Sequence, residues 1–175
     1  MYSKAKIAGH PVHPMLVAFP VGFYTGTLVA FAVYAANGHQ FWLNLAIALA
    51  VVGAGTAVLA ALPGAVDFLF GIPRGSQAKV VGLAHGLLNV TGLGLFIAAA
   101  SEYVTHWNGP PASATLGLAL AAAGTAVTVA AGSLGWMLVQ TYHVGVRLTS
   151  GQERDEAEVQ QTRPPLTLVR HRKAG

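Results

Sequence analysis

Apolar residues in this chain gather into four long runs, about 14–36, 42–70, 80–100 and 114–146, separated by short polar segments. At about 1.5 Å per residue, each run can cross about 30 Å of hydrocarbon as a helix. The pattern predicts an all-α integral membrane protein, a four-transmembrane-helix bundle over residues 1–148. A polar, flexible cytoplasmic tail is expected over 149–175. Four crossings return the chain to its starting side. Lys4 and Lys6 precede the first run, Arg74 and Lys79 lie between the second and third, and Arg147, Arg154, Arg163, Arg170, Arg172 and Lys173 follow the fourth. The two opposite loops, 37–41 and 101–113, carry no Lys or Arg. Cationic flanks are retained in the cytoplasm, so both termini are expected inside.

Composition sharpens this picture. With 175 residues, 54% hydrophobic and only 9% charged, the chain has too little polar surface for an ordinary soluble domain. The formal net charge of +4 does not point to nucleic acid, because the cations are strung along one membrane edge without aromatic interleaving. Anionic lipid headgroups are the expected counterpart. The absence of cysteine excludes disulfides, thiolate metal ligands and cysteine-held iron-sulfur clusters. The first run is longer than a signal-peptide core and is followed by three more, so it is expected to be retained.

Pro20 and Pro63 interrupt the first two runs, and each removes a backbone donor that lipid cannot replace. Gly22 and Gly26, Gly82 and Gly86, and Gly124, Thr128 and Gly132 form small-residue rows that let helices approach closely. These rows suit packing within the bundle, and a homo-oligomer is also compatible with them. No internal repeat is evident in the sequence.

Five ionisable side chains fall in one layer near the cytoplasmic ends of the runs: His10, His13, Asp67, His85 and His143. An ionisable group at membrane depth is costly unless paired or coordinated, so this layer is the candidate site. His10 and His13 both precede prolines, which favours extended backbone. In that geometry the GHPVHP run is a rigid strap aiming one histidine into the bundle rather than a two-histidine chelate. Plainer roles compete at each position. His13 can act as a helix cap, Asp67 can pair with Arg74 or Lys79, His85 can bond to Asn89, and His143 can be held by a helix C-terminus. Pro63 shares a helix face with Asp67, Asn89 with His85, and Gln140 lies one turn from His143. Asn89 and Gln140 are therefore the expected supporting residues.

The segments GHPVHPMLVAFPVG, LPGAVDFLFGIP, AHGLLN and GSLGWMLVQTYHVGVRL resemble a family of uncharacterised bacterial four-helix membrane proteins, a domain of unknown function. The resemblance runs to Leu148. It implies a multi-pass protein of the bacterial cytoplasmic membrane. Members of that family occur alone or fused to a Rieske domain, which implies membrane electron transfer. Some relatives have a histidine where this chain has Ala18, leaving His13, Asp67, His85 and His143 as the cofactor-binding candidates.

Three functions fit these residues. The first is a cofactor protein holding haem b or a transition-metal ion (iron, copper or zinc) near the cytoplasmic face and exchanging electrons with quinone or a redox protein. The second is an assembly or scaffold subunit without a cofactor. The third is a proton or solute pathway using Asp67 and His85. No nucleophile, base and oxyanion arrangement is recognisable, so a hydrolytic enzyme is not expected.

Overall fold

The computed structural model describes residues 3–146 and 148–162. After a two-residue hairpin, β1 (Lys6–Ile7) and β2 (His10–Pro11), the chain forms α1 (Val12–Leu16), α2 (Ala18–Asn37), α3 (Gln40–Phe70), α4 (Gln77–Tyr103), α5 (Thr115–Gln140) and α6 (Ser150–Thr162). Four segments are long and apolar enough to cross a membrane: Val12–Asn37, Gln40–Phe70, Gln77–His106 and Thr115–Gln140. The break between α1 and α2 falls at Val17, where Pro20 supplies no N–H to Leu16. Pro14 lies in the first turn of α1, where a missing donor costs nothing, so His13 is helical rather than extended.

The helices pack by a four-and-three spacing. Along α4, Ala78, Gly82, Gly92, Phe96, Ala99 and Tyr103 are buried, and His85 and Asn89 fall on the same seam. Gly117, Ala121, Gly124, Ala131 and Leu138 are buried along α5, with Thr128 and Gly135 completing the row. A 3.5-residue repeat keeps one face of each helix against its neighbours. The helix α2 packs on α3 and α5, and α4 packs on the same two, so α2 and α4 face each other across the bundle diagonal. Aromatic rings from the diagonal pair fill the centre: Tyr24 stacks on Phe96 with centroids 3.7 Å apart and planes at 2°, and Phe31 meets Tyr103 at 5.0 Å. Glycines of α3 and α5 make room for them. A Cβ on Gly53 would lie 2.9 Å from Tyr24, and one on Gly124 would lie 2.6 Å from Phe96.

These contacts reveal a repeat that sequence reading missed. Three ring pairs meet across the diagonal with the same sequence offset of 72: 13 with 85, 24 with 96, and 31 with 103. The glycines beneath them follow an offset of 71, 53 with 124 and 64 with 135. The bundle is thus two helical hairpins, each entering from the end that carries the β1–β2 strands, related by an approximate two-fold axis between the helices.

Two polar arrangements close the ends. At the end away from the β1–β2 strands, the hydroxyls of Tyr34 and Tyr103 donate to the carbonyls of Ala112 and Ser113 at 2.9 and 2.5 Å and accept from the N–H groups of Ala112 and Gly117. At the other end the Lys79 ammonium donates to the Phe68 and Ile72 carbonyls and lies 3.9 Å from the Phe68 ring centre, capping the C-terminus of α3. The fourth span stops at Gln140, six residues short of the sequence expectation, and the third extends to Tyr103. Within the expected flexible tail, Ser150–Thr162 is a helix. The basic end, 163–175, lies outside the described residues.

Candidate functional site

Two imidazoles meet on the two-fold axis. His13 on α1 and His85 on α4 have ring centroids 6.2 Å apart and planes at 88°. Their surroundings correspond. His13 Nδ1 lies 2.8 Å from the Ala60 carbonyl oxygen, and His85 Nδ1 lies 2.8 Å from the Ala131 carbonyl oxygen. A carbonyl can only accept, so both nitrogens carry the proton, and in the neutral ring the lone pair resides on Nε2. Four residues beyond each carbonyl is a glycine against the ring. A Cβ on Gly64 would stand 2.9 Å from His13 Nδ1, and one on Gly135 would stand 3.0 Å from His85 Cε1. Each second helix thus presents a carbonyl and a flat, side-chain-free patch to a histidine of the first.

The pair differs at Nε2. The Asn89 amide donates to the His85 carbonyl at 2.8 Å and lies 3.2 Å from His85 Nε2. Position 17, the counterpart of Asn89 by the same offset, is a valine, and His13 Nε2 has no hydrogen-bond partner among the described residues. The His85–Asn89 contact is the bond that the plainer reading of the two residues described.

Three other expected members do not join the pair. Asp67, one turn beyond Gly64, turns its carboxylate to the N-terminal strap. It accepts from Ser3 Oγ at 3.0 and 2.8 Å, from Lys4 N at 2.5 Å and from Ala5 N at 2.9 Å. Lys79 caps α3, so it does not serve as the partner of Asp67. His10 is exposed in β2, where its Nδ1 meets the Ala8 carbonyl at 3.0 Å. His143 sits beyond the end of α5 in a left-handed turn, φ 51°. Gln140 ends α5 exposed, and its side chain makes no hydrogen bond among the described residues. No group of three or more histidines and carboxylates close enough to hold an ion occurs among the described residues.

What sequence reading missed is the backbone half of the site: the Ala60 and Ala131 carbonyls and the glycines that admit the rings. The one trace was Gly64 and Gly135, each four positions after an alanine in an apolar run.

Residues 9–148 match the model of the DUF2231 family, described as predicted membrane proteins. The chain belongs to that family. Comparison with curated proteins and with solved structures finds no match. The DUF2231 region includes both histidines of the pair, their carbonyl partners and Asp67, whereas Ser3, Lys4 and Ala5, which bind Asp67, precede it.

Proposed function

We propose that this protein is a cofactor-binding protein of the bacterial cytoplasmic membrane that holds haem b or a transition-metal ion between His13 and His85 and passes electrons. The observation that carries the reading is the matched geometry of the two imidazoles. Imidazoles on facing helical segments are the usual means by which a bundle would hold such a group, and here His13 and His85 stand together with their Nδ1 atoms already engaged. Their ring centroids are 6.2 Å apart. Each Nδ1 is tied to a carbonyl, the outer contact that commonly fixes the tautomer of a ligating histidine and raises its basicity.

The donor count favours haem. A bare iron, copper or zinc ion usually takes more than two protein ligands, and no third histidine or carboxylate stands with this pair among the described residues. Porphyrin brings its own nitrogen donors, so His13 and His85 alone would suffice to hold it. When bound, such a group supplies a one-electron couple. Held by both His13 and His85, it would suit electron transfer rather than substrate activation. Quinone or a redox protein would serve as exchange partner.

The Lys and Arg distribution supports an orientation with both termini in the cytoplasm, which puts the pair in the inner leaflet. His85 is eight residues from the start of α4, or about 12 Å along the axis.

Purification in mild detergent, visible absorption and elemental analysis test the reading on the wild type, His13→Ala and His85→Ala. A Soret band lost in each single variant supports haem, and stoichiometric metal without that band supports a bare ion. A wild-type protein with neither signal overturns the reading and leaves the assembly subunit as the better account.

A further inference from the structure

We propose that Asp67 is a positioning residue for His13: it latches the N-terminal strap to the end of α3, and the strap sets the imidazole against the Ala60 carbonyl. The latch can be followed bond by bond. Residues 3–5 deliver a hydroxyl and two backbone N–H groups to one carboxylate, and Ser3 is only 4% exposed. Three separate donors on one carboxylate define an orientation as well as an attachment, and bonds to an ionised acceptor are stronger than neutral ones.

From the latch, the strap runs directly to the histidine. Ala5 accepts from Val12 N at 3.0 Å, closing a loop around the β1–β2 hairpin. Val12 is the residue before His13. Ala8 and Gly9, both with positive φ, make the tight turn between the strands. On its other side the strap abuts the turn after α5, where a Cβ on Gly145 would lie 3.8 Å from Pro11. The strap therefore bridges the end of α3 and the turn following α5, at the end of the bundle nearest the two histidines.

The repeat isolates what Asp67 adds. Its counterpart in the second hairpin, 71 positions later, is Leu138, which is buried at 8% exposure with Ile72 and Ala78. His85 lies inside a continuous helix and is aimed by α4 itself. His13 lies in the five-residue α1, separated from α2 at Val17, and has no long helix on its N-terminal side. Where helix continuity holds one imidazole, the carboxylate latch replaces that continuity for the other.

The part of this inference that concerns cofactor binding rests on the reading above, but the latch does not. The test measures backbone hydrogen exchange on the full chain in detergent, for wild type, Asp67→Ala, Asp67→Glu and Ser3→Ala. It is read beside imidazole nitrogen resonances, with His13 and His85 assigned from their glutamine variants. Asp67→Ala is expected to speed exchange at residues 4–12 by about tenfold or more, the factor that one charge-assisted hydrogen bond corresponds to. It should also move the His13 resonances while leaving those of His85 in place, and Asp67→Glu should restore part of both. Ser3→Ala, which leaves α3 untouched, should produce a smaller shift in the same direction and keeps the test decisive if Asp67→Ala does not fold. Unchanged strap protection overturns the proposal, as does a loosened strap with unmoved His13 resonances. If strap and His13 both respond in a protein without pigment or metal, the latch stands and the cofactor reading falls.

Discussion

Gly64→Ala and Gly135→Ala add one methyl group each, directly against an imidazole of the pair. The new carbon would stand 2.9 Å from His13 Nδ1 in the first case and 3.0 Å from His85 Cε1 in the second. Contacts of this kind settle near 3.5–4.0 Å, so about 0.5–1 Å must be found. The ring can retreat, which sacrifices its 2.8 Å bond to Ala60 or Ala131 at a cost of about 1–3 kcal/mol. Alternatively the helix can move away, at the similar cost of an overpacked core, about 1–3 kcal/mol. Replacing glycine by alanine within a helix returns about 0.5–1 kcal/mol, leaving a net loss of about 1–2 kcal/mol. Gly55→Ala and Gly132→Ala are the controls, because a Cβ at either meets nothing within 4 Å. Thermal unfolding followed by circular dichroism in detergent should show both site variants less stable than wild type and both controls unchanged or more stable. If Gly64→Ala and Gly135→Ala tolerate heating as well as the controls, the imidazoles are not seated on those glycines and the site geometry is wrong.

The Tyr24 hydroxyl is buried without a hydrogen-bond partner among the described residues, so Tyr24→Phe should raise stability by about 1 kcal/mol, whereas Tyr24→Ala, which also removes the stack on Phe96, should lower it by about 3–5 kcal/mol. Equal or reversed effects in unfolding experiments would contradict this packing. Lys79→Met keeps the apolar stem but loses the cap on α3, and a loss of about 0.5–1 kcal/mol is expected. Because the chain has no cysteine, Asn37→Cys and Ser150→Cys each introduce a single thiol. In intact cells a membrane-impermeant maleimide should label the first and not the second, and the opposite pattern would invert the proposed orientation.

The four spans were legible because hydropathy over twenty or more residues overwhelms local detail, and the clustering of Lys4, Lys6, Arg74 and Lys79 marked the shared end. His85 was legible as a candidate because an imidazole inside an apolar helix stands out. The position of His143 was misjudged because the run through Val146 is apolar to its end, while the backbone leaves the helix after Gln140 and turns left-handed at His143 and Gly145. Asp67 seemed to belong with the histidines because only depth and helix face were read. Its partners are two backbone N–H groups and a serine more than sixty positions away, and backbone donors leave no mark on a sequence. The repeat escaped notice for a similar reason. At an offset of 72, the segments starting at His13 and His85 share only the histidine, Leu16 with Leu88, and Gly22 with Gly94 before the likeness fades. The offset then slips by one in the following helices.

Covalent fusion of the two hairpins has a consequence for tuning. In an assembly of two identical hairpins, any substitution beside one imidazole would appear beside the other. Here the halves vary independently: an amide stands at Nε2 of His85, and a valine occupies the corresponding position near His13. One imidazole can therefore be made a stronger donor than its mate without disturbing it, a freedom that a homodimer with the same geometry would lack.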